Sequence, residues 1–147
     1  EMLILEGFQA GLSWECVLNK QEAFRRAFDD FDWDEVAAYD EARQAALYAD
    51  PGIIRNRRKI AAAVGNAAAF AAIRQEFGSF DSYLWQWTGG KTLVECGPTT
   101  SPLSDAISKD LKKRGMKFVG STIIYAYLQA VGVLYAHEPG CFLEAAP

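Results

Sequence analysis

Residues 57–77, RRKIAAAVGNAAAFAAIRQEF, restrict the possible folds more than any other stretch. Alanine is the best helix former and no proline interrupts the run, so it reads as one long helix that Gly78 stops. Its small side chains let neighbouring helices approach closely. The rest of the chain follows the same period. Met2, Leu3, Leu5 and Phe8 mark an apolar-faced helix ending by Gly11, and Ser13 caps a second through Trp14, Val17, Leu18, Phe24 and Phe28. Asp32 with Glu35 has capping-box character and starts a short helix over Val36 and Tyr39. Another, from Ala42 to Tyr48, closes at the turn Asp50-Pro51-Gly52. Phe80 to Trp87 reads as an aromatic helix broken by Gly89-Gly90. Ser104 caps a helix reaching Arg114, Gly115 ends it, and Ser121 to Leu134 make the last long one. Only Thr92 to Cys96 reads as extended. The expected fold class is all-α.

At 147 residues the chain is expected to form a single helical domain over 1–147. Half its residues are hydrophobic, which argues against disorder, and no apolar run is long enough to span a bilayer. No signal peptide opens the chain. Glu1 falls at the edge of a helical apolar pattern, so the natural start is expected upstream. Three cysteines (Cys16, Cys96 and Cys141), widely spaced and odd in number, argue against a disulfide framework and for a reducing compartment.

A net charge of −4 by itself discourages a nucleic-acid partner, but the charges are unevenly spread. Acids crowd between Asp29 and Glu41. Arg55, Arg57, Arg58 and Lys59 form one basic cluster; Lys109, Lys112, Lys113, Arg114 and Lys117 form another. Phosphate binding depends on local potential rather than on the total. Taken separately, either cluster reads equally well as a solvated helix face.

Within about 104–134 lies DLKKRGMKFVGSTIIYA, Asp110 to Ala126: a basic helix, a tight turn at Gly115, and Gly120 ahead of an apolar helix. A glycine there lets backbone approach a ligand, and the free amides of the next turn point at an anion. Lys113 and Lys117 would flank the same phosphate. This is the logic of a helix–hairpin–helix module that grips DNA backbone without reading sequence. Phe118 stands where such hairpins usually carry a glycine. An ordinary helix corner stopped by Gly115 fits the same residues.

The N-terminal segment LEGFQAGLSW, Leu5 to Trp14, places one acid before a Gly-Leu-Ser turn and a tryptophan. A carboxylate beside an indole suits a flat, electron-poor heterocycle, since one accepts a hydrogen bond and the other stacks. By residue type alone, a solvent-facing acid at Glu6 and a core aromatic at Trp14 are the better readings.

Four pieces in order resemble the DNA-3-methyladenine glycosylase I family of helix–hairpin–helix DNA glycosylases. They are LEGFQAGLSW, GIIRNRRKI with the later GNA, SDAISKDLKKRGMKFVGSTIIY, and the closing His137-Glu138-Pro139-Gly140-Cys141. The resemblance implies that fold and a bacterial, cytoplasmic base-excision repair enzyme. Such an enzyme hydrolyses the glycosidic bond of 3-methyladenine in alkylated double-stranded DNA after flipping the base from the stack. It assigns Glu6 as pocket acid and Trp14 as stacking aromatic, with Gly11 and Leu12 in a turn that wedges into the gap. Lys113, Gly115, Lys117 and Gly120 become DNA contacts.

Methylation at N3 makes the base a cation and a good leaving group, and an acid at Glu6 favours it over neutral adenine. With no evident second carboxylate and no lysine motif for a Schiff base, a monofunctional enzyme without lyase activity is expected. His137 and Cys141 are spaced i, i+4, which can present two zinc ligands, and the resemblance implies a structural zinc there. In the family, a cysteine and a histidine from an N-terminal segment join them, and aromatics of that segment line the pocket. That segment is absent here, so the metal site is expected to be incomplete; Cys16, in a helix, and Cys96, in a loop elsewhere, are poor substitutes. No organic cofactor is implied, and the protein is expected to act as a monomer. The competing readings are a non-catalytic hairpin DNA-binding module and a helical interaction domain.

Overall fold

The alanine-rich segment forms the longest helix, α6 (Arg57–Phe77), in a computed structural model that describes residues 1–138 and 140–143. Asn56 caps it by accepting from the Lys59 amide at 3.1 Å, and Gly78 ends it with φ of 81°. Around it lie α1 (Met2–Gln9), α2 (Trp14–Leu18), α3 (Gln21–Ala27), α4 (Trp33–Ala37), α5 (Glu41–Ala49), α7 (Phe80–Trp85), α8 (Pro102–Lys113) and α9 (Ser121–Ala130). Among the described residues, two strands, β1 (Leu93–Val94) and β2 (Leu134–Tyr135), pair in parallel, Leu93 opposite Leu134. The all-α expectation therefore holds apart from this one ladder. No helix among the described residues is long and apolar enough to cross a membrane.

Two apolar clusters share α6. One gathers Phe8, Phe24, Phe28, Val36 and Leu47 around Ile60, Ala63 and Ala67; the other gathers Tyr83, Ile107, Leu111, Ile124 and Leu128 around Ile73. The first helix belongs to both, with Leu5 and Phe8 in one and Met2 and Leu3 packed against the other. It therefore lies along the seam, and so does everything it carries.

Three expected boundaries shift. The helix read from Ser13 through Phe28 is broken at Asn19–Lys20, where Lys20 Nζ reaches across to the carbonyls of Pro51 and Gly52 at 3.3 and 3.1 Å. Beyond α3, Asp29, Asp30 and Phe31 all take positive φ, and Asp29 is held by the Tyr39 hydroxyl at 2.6 Å and the Arg43 guanidinium at 3.0 Å. Ser104 is not the cap of α8 but the third residue inside it. Ser101 caps the helix, and the two serines exchange reciprocal bonds, Ser101 N to Ser104 Oγ at 2.8 Å and Ser104 N to Ser101 Oγ at 3.3 Å. Pro102 at the first helical position fixes that start. At the other end α9 stops four residues short of Leu134, because Gly132 turns left-handed and Val133 N bonds back to Leu128 O at 2.9 Å.

Candidate functional site

Glu6, on α1, is 1 % exposed, and its Oε2 is buried with no hydrogen-bond partner. Burial alone pushes its carboxyl up to about 7, with no neighbouring charge contributing. An acid stripped of water and left without a donor has acceptor capacity that the fold does not use. The solvent-facing alternative is thereby removed. Trp14 opens α2, whose start Ser13 caps by accepting from Cys16 N at 3.2 Å; its indole is half-buried against the cluster containing Phe8. α1, which carries Glu6, packs on α2, which Trp14 opens. Two cavities border α1 on its Leu3–Ile4 side, and neither is lined by Glu6 or Trp14.

Between these residues the chain makes a closed turn. Leu12 N bonds Gln9 O at 2.7 Å, and Gln9 Nε2 bonds Leu12 O at 2.7 Å. Gly11 takes φ of 80°, which the turn requires, and Leu12 stands at the tip, 39 % exposed. An apolar side chain in water on a doubly bonded turn has the form of a wedge. Lys59, read from sequence as part of a surface basic cluster, is buried instead. Its ammonium donates to the carbonyls of Phe8 and Ala10 at 2.8 and 2.6 Å, capping α1 just before this turn. Burial holds its amine below the usual lysine range.

The hairpin joins α8 to α9. Gly115, with φ of 95°, closes α8: its amide bonds Lys112 O at 3.0 Å, and Met116 N bonds Leu111 O at 3.0 Å. Phe118 adopts φ of 56°, so the backbone turns left-handed there although the residue is not glycine. Asn66 of α6 clamps the turn, donating to Lys117 O at 2.9 Å and accepting from Lys117 N at 2.8 Å. Ser108 adds a bond to Val119 O at 2.6 Å. Gly120 caps α9 with no side chain covering the first-turn amides. These residues form one wall of an open groove lined by Arg58, Lys112, Lys117, Phe118, Val119 and Gly120. The two basic clusters meet there. Lys112 lines the groove, whereas Lys113 is exposed outside it. Arg114 is withdrawn, bonded to Glu76 at 2.6 and 3.1 Å and to Asp110 at 2.7 Å, and stacked over Phe77 and Tyr83.

At the far end, His137 Nδ1 and Cys141 Sγ are 3.5 Å apart. Tetrahedral zinc with ordinary Zn–N and Zn–S bonds separates such a pair by roughly this distance, so the two donors fit half of a site. Among the described residues no group of three histidine, cysteine or acidic side chains completes it. Pro139, from the same closing motif, lies outside the described residues. Cys96 is not remote from the pair as its place in sequence implied: β1 lies on β2, and Cys96 Sγ donates to His137 O at 2.8 Å.

The sequence profile of the Methyladenine glycosylase family matches residues 1–144. DNA-3-methyladenine glycosylase 1 of Escherichia coli (strain K12) is 47% identical over 148 residues, covering 96% of this chain and 79% of that protein. The chain belongs to this family. A crystal structure of 3-methyladenine DNA glycosylase I overlays with a TM-score of 0.92 at 43% identity, over 99% of this chain and 82% of the other. The Staphylococcus aureus enzyme, solved to explain its recognition of 3-methyladenine, overlays at 0.94 with 34% identity, over 99% and 81%.

Sequence reasoning missed two residues of α6 that hold the turn after α1 and the hairpin. Lys59 looked like one more surface cation, and Asn66 belonged to a matched piece but carried no role. The available signal was spacing: they lie seven residues apart, about two turns, as polar residues on one face of an alanine-rich helix.

Proposed function

We propose that this chain acts as a monomer on alkylated double-stranded DNA, cleaving the N-glycosidic bond of 3-methyladenine and leaving an abasic site. The observation that carries the reading is Glu6: a buried carboxyl with an unbonded oxygen, on a helix packed against the one that Trp14 opens, in a member of this family. A non-catalytic hairpin module has no use for an acid that weakens its own fold.

Chemistry follows from the charges. N3-methylated adenine is a cation in DNA, so its glycosidic bond is already weakened. As that bond breaks, N9 takes the electron pair, the base becomes neutral, and positive charge passes to the sugar. Water adds to C1′ and releases its proton. Glu6 accepts from the exocyclic amino group and, when ionised, selects the cationic base over neutral adenine. Guanine would set an acceptor oxygen against it. Trp14 offers a π-face that a cation prefers. Leu12 fills the space that the flipped nucleotide leaves, offsetting part of the lost stacking. The uncapped amides after Gly120, with Lys117 and Lys113 or Lys112, hold a backbone phosphate, and Gly115 sets the turn.

Hydrolysis without a lyase step is supported by the amine inventory. Lys59, the only buried lysine among the described residues, already donates to two carbonyls and is not poised as a nucleophile. His137 and Cys141 would hold a structural zinc together with a cysteine and a histidine from the family's N-terminal segment, fastening the chain's end and taking no part in the reaction.

The test is chromatography of bases released from methylated duplex DNA. Free 3-methyladenine should appear, with strand breaks only after alkaline heating. Duplex binding without base release would leave the non-catalytic module as the answer, and breaks without heating would reveal a lyase.

A further inference from the structure

Phe118 connects two systems that the function treats separately. Its Cβ lies 3.5 Å from where a Cβ on Gly7 would stand, and its ring faces the Lys59 ammonium at 5.8 Å. Lys59 in turn bonds the two carbonyls at which α1 gives way to the Gly11–Leu12 turn. Two turns further along the same face of α6, Asn66 clamps both backbone groups of Lys117. One side of one helix thus grips the phosphate-binding hairpin at one point and the wedge turn at another. Gly7, Phe118, Lys59 and Asn66 line a single crevice between them.

We propose that Lys59 is a positioning residue for base flipping: it fixes the height and direction of Leu12 relative to the phosphate held at the hairpin. This rests on the wedge reading of Leu12 given above. The physics is plain. A flipped base leaves a gap of fixed size, so a wedge displaced by an ångström loses much of its stacking. A turn of four residues cannot fix its own position on the molecule. Its internal Gln9–Leu12 bonds hold its shape, and Lys59 ties that shape to α6. A desolvated ammonium bonded to two carbonyls at a helix C-terminus is a strong tie, because each bond is charge-assisted and the macrodipole favours the cation.

The experiment uses a duplex with 2-aminopurine, whose fluorescence rises on unstacking, beside a 3-methyladenine site. Lys59→Met keeps the apolar stem and removes the donors. It should lower single-turnover excision and the fluorescence rise by about 10- to 100-fold, while affinity for undamaged duplex stays within about twofold. Adding Leu12→Ala to Lys59→Met should cost little more, since both act through one wedge. If Lys59→Met does not fold, Lys59→Gln, shorter and uncharged, tests the same tie to the Phe8 and Ala10 carbonyls and should show the same pattern to a lesser degree. Wild-type excision and fluorescence in the folded variants would overturn the proposal. So would a full additional loss on combining Lys59→Met with Leu12→Ala, or a parallel fall in undamaged-duplex affinity. If Leu12→Ala alone leaves excision and fluorescence unchanged, the wedge reading itself fails, independently of Lys59.

Discussion

Replacing Glu6 by glutamine should make the protein more stable in alkali while disabling it. A glutamate carboxyl ordinarily titrates near 4.5, and in this fold Glu6 is pushed up to about 7 by burial. Below 4.5 it is protonated in both the folded and unfolded chain, so ionisation costs nothing. Between the two values the folded chain keeps a proton that the unfolded chain has released, and stability falls by about 1.4 kcal/mol for each pH unit. Above 7 the loss is complete, at about 3 kcal/mol. Glutamine carries no such penalty. The gap in stability between Glu6→Gln and wild type should therefore widen by about 2 kcal/mol from pH 5 to pH 8 in favour of the variant. For a chain of this size that is on the order of 5–10 °C in melting temperature. Thermal melts of both proteins at the two pH values read it directly, and comparing variants cancels every other titrating group. Excision of 3-methyladenine should fall while duplex affinity is kept. A stability gap that does not change with pH would mean that Glu6 ionises as it would in water, and the buried-acceptor argument would fail. Joint loss of stability and DNA binding would equally refute the pocket assignment.

The other expectations concern the wedge and the hairpin. Leu12→Ala, at an exposed position, should change stability by no more than about 0.5 kcal/mol yet lower excision about tenfold or more, measured as single-turnover base release. Lys112→Ala and Lys117→Ala should each lower the salt slope of duplex binding by about one, alike for damaged and undamaged DNA; Lys113→Ala, outside the groove, should do less. Phe118→Gly and Phe118→Ala both lose the ring, but only glycine relieves the left-handed backbone. The glycine variant should therefore be the more stable of the two by about 1 kcal/mol in chemical denaturation, reversing the usual order.

Much of this molecule was legible in its residues because the evidence there was local. Alanine content and Gly78 define α6, and Gly115 and Gly120 bracket the hairpin. Glu6 and Trp14 stand in a segment specific enough to carry a family resemblance. What could not be read depended on particular side-chain contacts, most of them between distant residues. Ser101 caps α8 because its partner Ser104 is already inside the helix, and Pro102 shows this only in hindsight. The break at Asn19–Lys20 falls where the Lys20 side chain bonds the 51–52 turn, a contact no local pattern shows. Lys59 and Arg114 looked like surface charge, yet the fold spends one on the end of α1 and the other on Glu76 and Asp110. Lys112 rather than Lys113 lines the groove because of helical phase at the end of α8, which a run of basic residues does not reveal. Cys96 meets His137 only through the β1–β2 pairing, which no local signal announced.

The most direct test of the central claim is a carboxyl ¹³C NMR titration of Glu6 in the folded protein, with and without 3-methyladenine. The account predicts a midpoint near 7 for the free protein. It predicts a move to lower pH when the base is added, since an amino donor favours the ionised acceptor. A midpoint in the ordinary glutamate range that ignores the base would contradict it.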